Sequence, residues 1–372
     1  MIDRLHYFGA THRTAAIAVR EKLARGPERL PRILAALRGA AGEALVLNTC
    51  GRFEVYLAAP DAALVNNPAA RAAILNLPEA TARLHLQTLS GREAVRHALR
   101  VAAGLDSRLL GEDQILAQVR SAFSLARREK ACGPLLSALF QAAIHTGRRV
   151  RSETRLGHYS RSYAALAAVA AVDRLERLDG SSAFPDVIVL GTGILARDVS
   201  EEIRRRSNAG LLVVGRHMDR VRALAASFRG EPHRLNELPA LLRRAGVLVA
   251  CATTEAPLVT RNMIPTSGGR LLIDLGMPRN IEQAAGELPG VTLIHLDMLR
   301  DGSAVEREAI EEAEQLVAEE LTRYQRWLAG RALAPRIVHI LDHAETAPGG
   351  ASPELRRALH NRIMRLKEEA AA

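Results

Sequence analysis

The sequence predicts an α/β multidomain protein with an α+β domain first, a doubly wound parallel sheet second and a helical segment last. Three patterns indicate this order. Strand and helix spacings follow the order β-α-β-β-α-β up to about residue 90, buried strands and helices alternate between residues 187 and 296, and helical spacing follows Asp297. The chain of 372 residues, 48% of them hydrophobic, is long enough to bury two or three cores.

The first domain has the pattern of a ferredoxin-like sheet with helices on one face. Runs of alternating or β-branched residues predict strands over residues 4–10, 44–48, 53–59 and 83–87. Apolar residues at helical spacing predict helices over residues 18–38 and 68–76. Helical spacing then continues from residue 91 to about residue 178, with glycines between the pieces.

The turn between the second and third predicted strands carries the sequence Thr49-Cys50-Gly51-Arg52. A cysteine at such a turn is open to a ligand, and an arginine two residues later is a fixed cation that favours the thiolate. This placement suits a nucleophile. The alternative is a small apolar residue at a strand end, and these residues taken alone favour that alternative.

A second candidate site lies in the helical region that follows. Gln114 and Gln118 are four residues apart and share one helix face, with Glu112 at the start of the helix and Ile115 on the apolar stripe. A face with two amides and a carboxylate suits a small zwitterion with a free ammonium group. The alternative is a solvated helix face, which the spacing alone favours.

A nucleotide-binding fingerprint opens the second domain. The apolar run 187–190 leads into a glycine-rich turn and a helix, in the pattern G-x-G-x-x-A of Rossmann-type domains. The turn consists of Gly191, Thr192, Gly193, Ile194, Leu195 and Ala196. The next strand, over residues 210–215, is followed by Arg216, where NAD-binding domains usually carry an acidic residue. Because an arginine there favours a 2′-phosphate, the sequence predicts NADPH as the cofactor.

Helical spacing dominates the chain after Asp297. Residues 301–329 carry an apolar residue every three or four positions, Pro335 begins a shorter predicted helix that extends to His343, and an apolar stripe recurs over residues 355–366. A striped helix this long has little domain of its own to pack on, so we expect a dimer to bury it. The alternative is packing within the chain, across the other two domains.

Composition argues against several classes of protein. No run of about 18 apolar residues is present, so no membrane span is predicted. Three scattered cysteines are too few for a disulfide framework or a zinc site, and we take Cys132 and Cys251 as structural. The N-terminal residues lack a signal-peptide pattern, so we expect a cytoplasmic protein. The net charge of +10 is compatible with an RNA partner. The near-exclusive use of arginine over lysine, however, is equally explained by the base composition of the genome, so the charge is not evidence for RNA binding.

Several motifs, in order, resemble those of the glutamyl-tRNA reductase family. The catalytic motif of that family is similar to Thr49-Cys50-Gly51-Arg52-Phe53-Glu54-Val55-Tyr56. Its glutamate-pocket motifs resemble residues 104–107 and residues 111–118. Further similar segments are residues 20–23, 94–97, 150–154 and 275–279. The resemblance therefore spans almost the whole chain.

The resemblance implies a catalytic domain over residues 1–158, an NADPH-binding domain over 159–299 and an all-α dimerisation domain over 300–372. It implies that Cys50 is the nucleophile and that His97 is a histidine needed for activity. The residues expected to line a glutamyl pocket are Thr49, Gly51, Arg52, Ser107, Glu112, Asp113, Gln114 and Gln118. Residues 191–196 and Arg216 are expected to bind NADPH. Gly51 and Asp113 stand where the family usually has asparagine and proline.

The implied activity is the NADPH-dependent reduction of glutamyl-tRNA(Glu) to glutamate-1-semialdehyde through a Cys50 thioester, the first step of tetrapyrrole (porphyrin and heme) biosynthesis from glutamate. A homodimer is also implied, and docking of a glutamate-1-semialdehyde aminomutase is left open. Two alternatives remain. One is another NADP-dependent dehydrogenase that acts on a small acid, but this activity would not explain the sequence of the turn at Cys50. The other is a diverged, non-catalytic tRNA-binding paralogue, which Gly51 supports.

Overall fold

A four-stranded antiparallel sheet organises the first part of this computed structural model. The structure describes residues 1–24, 26, 28–156, 162–178, 186–265, 269–299, 307–345, 357–361 and 364–365. The strands are β1 (Leu5–Thr11), β2 (Glu43–Asn48), β3 (Arg52–Ala58) and β4 (Gln87–Ser90). They lie in the order β2-β3-β1-β4, and each neighbouring pair is antiparallel. This is the ferredoxin-like arrangement that the sequence predicts.

The helices of this part fall into two groups. Between the strands lie α1 (Ile17–Leu23), α2 (Leu30–Ala41), α3 (Ala63–Asn66), α4 (Pro68–Leu75) and α5 (Glu79–His85). After β4 come α6 (Arg92–Ala103), α7 (Asp113–Arg128) and α8 (Pro134–Glu153). Local chemistry explains several boundaries: Asn67 caps α4 by accepting a hydrogen bond from the Ala70 amide, and Gly104 ends α6 in the left-handed conformation.

The strand predicted over residues 83–87 is wrong. Residues up to His85 belong to α5, and β4 begins at Gln87. Leu84 and Leu86 alternate along the chain, but Leu84 is 73% exposed while Leu86 is buried. Glu79 in the first turn and Arg83 and His85 in the last turn complement the helix dipole, so local electrostatics favours the helix.

A six-stranded parallel sheet forms the second part. The strands are β5 (Asp186–Leu190), β6 (Gly210–Gly215), β7 (Glu231–Arg234), β8 (Ala245–Ala250), β9 (Arg270–Asp274) and β10 (Val291–His295). Their order is β10-β9-β8-β5-β6-β7, with every neighbouring pair parallel. The helices are α9 (Tyr163–Leu178), α10 (Ile194–Arg206), α11 (Met218–Ser227) and α12 (Leu238–Leu241). The doubly wound sheet is confirmed, and apolar side chains on its two faces belong to separate cores.

One long helix, α13 (Arg307–Glu345), follows the second sheet. Pro335 lies inside it, so the separate helix predicted to begin at Pro335 is wrong: the proline removes one backbone hydrogen bond without ending the helix. Much of the predicted stripe over residues 355–366 lies outside the described residues. In the part of the chain that the structure describes, no helix is both long and apolar enough to cross a membrane.

The first two-thirds of α13 packs within the chain. Its buried stripe joins the core of the first part, against α6 and α8. The stripe consists of Ala309, Ala313, Val317, Leu321, Tyr324 and Leu328. The Tyr324 hydroxyl donates a hydrogen bond to the Leu135 carbonyl oxygen at 2.9 Å. For these residues the alternative of intramolecular packing holds, while a dimer made through the rest of the tail stays a prediction.

Candidate active site

The turn that carries Cys50 is held rigidly between β2 and β3. The Thr49 amide donates to the Arg52 carbonyl oxygen at 2.9 Å, and the Gly51 amide donates to the Thr49 hydroxyl at 3.2 Å. The His12 amide, just beyond β1, donates to the Gly51 carbonyl oxygen at 3.0 Å. Cys50 is partly exposed at the tip of this turn. The strand–turn–strand prediction is therefore correct.

Arg52 points along β3 and is neutralised there. Its Nη1 donates to Glu54 Oε1 at 2.9 Å and its Nη2 to the Asp106 carbonyl oxygen at 2.7 Å. Tyr56 donates its hydroxyl hydrogen to the other Glu54 oxygen at 2.7 Å. Glu54 is fully buried; burial opposes its ionisation, but Arg52 and His97 outweigh burial and lower the pKa of Glu54 to about 2.

His97 belongs to the same buried network. Its Nε2 lies 3.1 Å from Glu54 Oε1 and its Nδ1 lies 3.4 Å from Asp106 Oδ2, with the Tyr7 ring centroid 4.4 Å away. Burial opposes protonation of the imidazole, but the two carboxylates prevail and raise the pKa of His97 to about 8. His97 is thus a cation near neutral pH. It is not among the residues that line the cavity beside Cys50.

The Cys50 thiol does not gain the low pKa that the turn suggests. Burial raises the pKa of Cys50 to about 12, and the Glu112 carboxylate adds to that effect. Arg20 and Arg52 both lower the pKa of Cys50, and the effect of Arg20 is the larger, although the sequence pattern predicts Arg52 as the cation that favours the thiolate. Arg20 lies on α1, and its Nη1 donates to the Cys50 carbonyl oxygen at 2.8 Å. Because the resting thiol is neutral, nucleophilic attack requires a base.

His12 is a further residue of this site, which the sequence analysis missed. His12 lines the same cavity as Cys50. Burial and the positive charges of Arg52, Arg13, Arg108 and Arg20 lower the pKa of His12 to about 4. The imidazole is therefore neutral near pH 7 and only a weak base, because burial and the arginines oppose its protonation. Its position follows from β1 pairing antiparallel with β3, which places the residue after β1 beside the turn before β3.

The cavity beside Cys50 has a polar lining and a volume of about 20 Å³. Of the residues predicted for a substrate pocket, the lining includes Thr49, Gly51, Arg52, Ser107, Glu112 and Gln118. The buried Ser107 hydroxyl has no hydrogen-bond partner among the described residues, so it is available to a bound molecule. A cavity of this size holds little more than one water molecule, which needs about 10–15 Å³.

Two predicted pocket residues stand apart from this cavity. The Gln114 amide donates to Asp198 Oδ2 at 3.4 Å, a contact that links α7 to α10 of the second part. Asp113 is the first residue of α7, and its side chain lies outside the described part of the structure. The two amides on this helix face therefore have different surroundings: Gln118 lines the cavity beside Cys50, whereas Gln114 contacts α10.

The second part of the chain closes this cavity. Leu296, Asp297 and Tyr163 belong to the lining. Asp297 Oδ2 accepts a hydrogen bond of 2.5 Å from Arg20, and its Oδ1 lies 3.2 Å from Arg108 Nη1. Beside them, Arg279 donates to both carboxylate oxygens of Glu21 at 2.8 Å. Spacing along the sequence gave no sign of these contacts, because their partners are far apart in the chain.

A larger cleft, of about 790 Å³, lies between the two sheets on the other side of Cys50. Its lining includes Cys50, Thr49 and, from the predicted fingerprint, Gly193, Ile194 and Leu195. Ile194 is 80% exposed, so it presents an apolar side chain to the cleft. Cys251 also lines the cleft, but burial raises the pKa of its thiol well above the usual range, with the Asp274 and Asp198 charges adding to the effect.

The glycine-rich turn has the geometry that a dinucleotide needs. Gly191 has φ +128°, and a Cβ atom there would lie 2.9 Å from the Cys251 backbone, so a larger residue is excluded. A Cβ atom on Gly193 would meet nothing within 4 Å, which leaves the start of α10 open to a phosphate. Thr192 lines an adjoining cavity of about 210 Å³, and Ala196 is fully buried beneath the turn.

Arg216 lies at the end of β6, as predicted, and its Nη2 donates to the Thr253 carbonyl oxygen at 3.0 Å. It lines both the cleft and the adjoining cavity, where His217 and Arg220 accompany it. Three basic side chains around one cavity suit a phosphate group. The site therefore combines a thiol, a small polar cavity and a nucleotide-binding cleft.

Comparisons with known proteins show which families this chain resembles. Residues 8–154 match the family model described as glutamyl-tRNAGlu reductase, N-terminal domain, and residues 174–301 match the model for shikimate / quinate 5-dehydrogenase. The second match indicates a domain that binds a nicotinamide dinucleotide.

Curated relatives cover most of the chain. A glutamyl-tRNA reductase of Moorella thermoacetica is 37% identical over 96% of this chain and 83% of its own. One of Thermus thermophilus is 38% identical over 94% of this chain and 87% of its own. Among solved structures, glutamyl-tRNA reductase from Methanopyrus kandleri has 28% identity and a TM-score of 0.48, covering 99% of this chain and 93% of that one.

Proposed function

The chain belongs to the glutamyl-tRNA reductase family, and from that premise we propose that it reduces glutamyl-tRNA(Glu) to glutamate-1-semialdehyde with NADPH, by way of a thioester on Cys50. This reaction is the first step of tetrapyrrole synthesis from glutamate. A thioester accepts a hydride far more readily than a carboxylate does, so a cysteine that first takes up the acyl group makes the reduction feasible.

The observation that carries the proposal is the position of Cys50 between two cavities. On one side the thiol borders the small polar cavity with Ser107, Glu112 and Gln118. On the other side it borders the cleft that leads to the glycine-rich turn and Arg216. An acyl group on this sulfur would be held by the first cavity and open to a reductant in the second. A dehydrogenase of a free acid needs no such thiol.

In the acyl-transfer step, the Cys50 sulfur forms a bond to the carbonyl carbon of the glutamyl ester while the thiol proton passes by way of His12, which lines the same cavity. The ester carbon–oxygen bond then breaks, and the ribose oxygen of the tRNA receives the proton from His12. Glu112 is placed to meet the substrate ammonium group. We also propose that activity requires His97, as the family resemblance implies. Its contact with Glu54 would position the Arg52–Glu54 pair beneath the turn.

NADPH fits the second domain. Residues 191–196 would hold its pyrophosphate at the start of α10, and Arg216, with His217 and Arg220 beside it, would hold the 2′-phosphate. When bound, the cofactor supplies the hydride for the reduction. The protein's own part is to hold the acyl group at Cys50 and to return a proton to the departing sulfur. Since the first thiol proton has left with the tRNA, this second proton would come from solvent.

The division between the first two domains largely follows their cores, whereas the buried stripe of α13 shares the core of the first domain. We propose a catalytic domain over residues 1–158, an NADPH-binding domain over 159–299 and a helical region over 300–372 whose distal part forms a homodimer. Support comes from α9, which packs against the second sheet, and from the apolar spacing of residues 355–366. A glutamate-1-semialdehyde aminomutase is the proposed partner that receives the product. A charged tRNA as substrate favours the cytoplasm.

Single-turnover reduction of glutamyl-tRNA by NADPH tests the function. We expect the wild-type protein to form the semialdehyde, Cys50→Ser to form none, and Cys132→Ser, altered far from the cleft, to behave as wild type. Full activity of Cys50→Ser would contradict the nucleophile. Reduction of free glutamate but not of glutamyl-tRNA would favour a dehydrogenase of a small acid, and no reduction by a folded wild-type protein would favour a non-catalytic paralogue.

A further inference from the structure

We propose that Glu21 and Arg279 are positioning residues for the reduction step: their ion pair fixes one wall of the nucleotide-binding cleft at the distance from Cys50 that hydride transfer needs. The inference rests on the proposed function, because that reaction has to bring a bound cofactor and an acyl group on Cys50 together. It gives a role to residues 20–23 and 275–279, two segments that lie outside both the motif around Cys50 and the glycine-rich turn.

The pair joins the two domains through three hydrogen bonds to one carboxylate. Arg279 Nε donates to Glu21 Oε1 and Arg279 Nη2 to Glu21 Oε2, both at 2.8 Å, and the Arg279 amide donates to Oε1 at 2.9 Å. The side chains of Arg279 and Glu21 are 22% and 17% exposed. Two parallel bonds between a guanidinium group and a carboxylate are charge-assisted and fix orientation as well as distance.

Helix α1 connects this pair to Cys50. Arg20, the residue before Glu21, donates from Nη1 to the Cys50 carbonyl oxygen at 2.8 Å and from Nε to the Ala15 carbonyl oxygen at 3.2 Å. Because Arg20 is buried, these contacts hold the start of α1 against the Cys50 turn. Glu21 itself borders the cleft. One short helix therefore contacts the Cys50 turn through one residue and the second domain through the next.

The segment that carries Arg279 is held just as firmly to the second sheet. Asp274, at the end of β9, is buried and accepts hydrogen bonds from three backbone amides within residues 276–281, at 2.8–2.9 Å. The Asn280 side chain accepts a hydrogen bond from the Ala252 amide at 2.7 Å and donates one to the Ala252 carbonyl oxygen at 3.0 Å. Residues 275–278, which line the cleft, lie between these anchors and therefore move with the sheet.

Hydride transfer is the step that depends on this connection. Reacting atoms have to approach to about 3–3.5 Å, and a misplacement of about 1 Å can slow a reaction about 100-fold. Acyl transfer to Cys50 and the binding of NADPH each use one wall of the cleft, so neither depends on the separation between the walls. The alternative is an ion pair that only adds stability, and its loss would affect all of these steps alike.

The test measures three quantities for Glu21→Ala and Arg279→Ala. These are the rate of Cys50 acylation by glutamyl-tRNA without NADPH, the equilibrium Kd of NADPH, and the single-turnover rate at which NADPH reduces the preformed thioester. We expect the first two to stay within about twofold of wild type and the third to fall at least about tenfold. Glu287→Ala, which removes an exposed ion pair with Arg261 inside the second domain, should match wild type in all three.

Charge reversal adds a rescue experiment. Glu21→Arg and Arg279→Glu should each slow reduction at least as much as the alanine variants do, and the double reversal should be at least about threefold faster than either single one. A further readout needs neither cofactor nor turnover. In the free protein, Glu21→Ala should accelerate hydrogen exchange at the Arg279 amide, because that amide donates to Glu21.

Reduction at the wild-type rate in either alanine variant would overturn the inference. Equal losses in acylation and reduction, no recovery in the double reversal, or unchanged exchange at the Arg279 amide would overturn it as well. If the folded wild-type protein forms neither thioester nor semialdehyde, the proposed function fails and this inference fails with it. If the wild-type protein forms both and the alanine variants reduce the thioester normally, the inference fails alone.

Discussion

Replacing His97 with glutamine removes the cation between Glu54 and Asp106 and leaves an amide of similar reach. The pKa of His97 is raised from 6.5 to about 8 in the folded protein. Since one pKa unit corresponds to about 1.4 kcal/mol, protonated His97 contributes about 2 kcal/mol to the free energy of unfolding. The side chain is 15% exposed, so solvent screens little of this contribution. The contribution is fully present below pH 6.5 and is lost as the pH rises through 8.

The assay is urea denaturation of both proteins at about pH 5.5 and about pH 9, with stability extrapolated to water. We expect His97→Gln to be about 2 kcal/mol more destabilising at the lower pH than at the higher. An equal effect of His97→Gln at both pH values, or a larger effect at the higher pH, would refute the buried ion network.

Three further predictions concern single side chains. Gly51→Asn should leave the free energy of unfolding unchanged or raise it by up to about 1 kcal/mol in urea denaturation, because a Cβ atom there meets nothing within 4 Å and φ is not positive; a marked loss would show that the turn requires glycine. Arg216→Gln should raise KM for NADPH about tenfold and leave KM for NADH unchanged in steady-state kinetics, because one phosphate contact is lost; equal changes for both cofactors would contradict its role. Leu321→Ala should cost about 2–5 kcal/mol, because this buried leucine anchors α13 on the first core; denaturation indistinguishable from wild type would mean that α13 is not held there.

The fold is largely predictable from the sequence because its periodic patterns reflect burial. Both sheets and the glycine-rich turn follow from strand and helix spacing, and the structure has them. The errors occur where a pattern has more than one cause. Leu84 alternates with Leu86 but is exposed on a helix, and Pro335 suggests a boundary that the helix passes through.

The candidate site is predictable only in part. Alternate residues of a strand share one face, so the sequence already places Arg52, Glu54 and Tyr56 side by side on β3. The contact between Arg52 and Glu54 could have been predicted from this spacing. The contact between Arg20 and Asp297 could not be predicted from the sequence, because these residues are 277 positions apart and meet only through the packing of two domains. Sequence spacing carries information within an element, whereas this part of the site forms between domains.

Mass analysis of Cys50 after incubation with glutamyl-tRNA in the absence of NADPH tests the central claim most directly. The account predicts one glutamyl group, removable by hydroxylamine, on the peptide that contains Cys50, and none on the peptides that contain Cys132 or Cys251. A glutamyl group on either of those cysteines, or semialdehyde formation by wild-type protein with no adduct on Cys50 under any trapping condition, would contradict it.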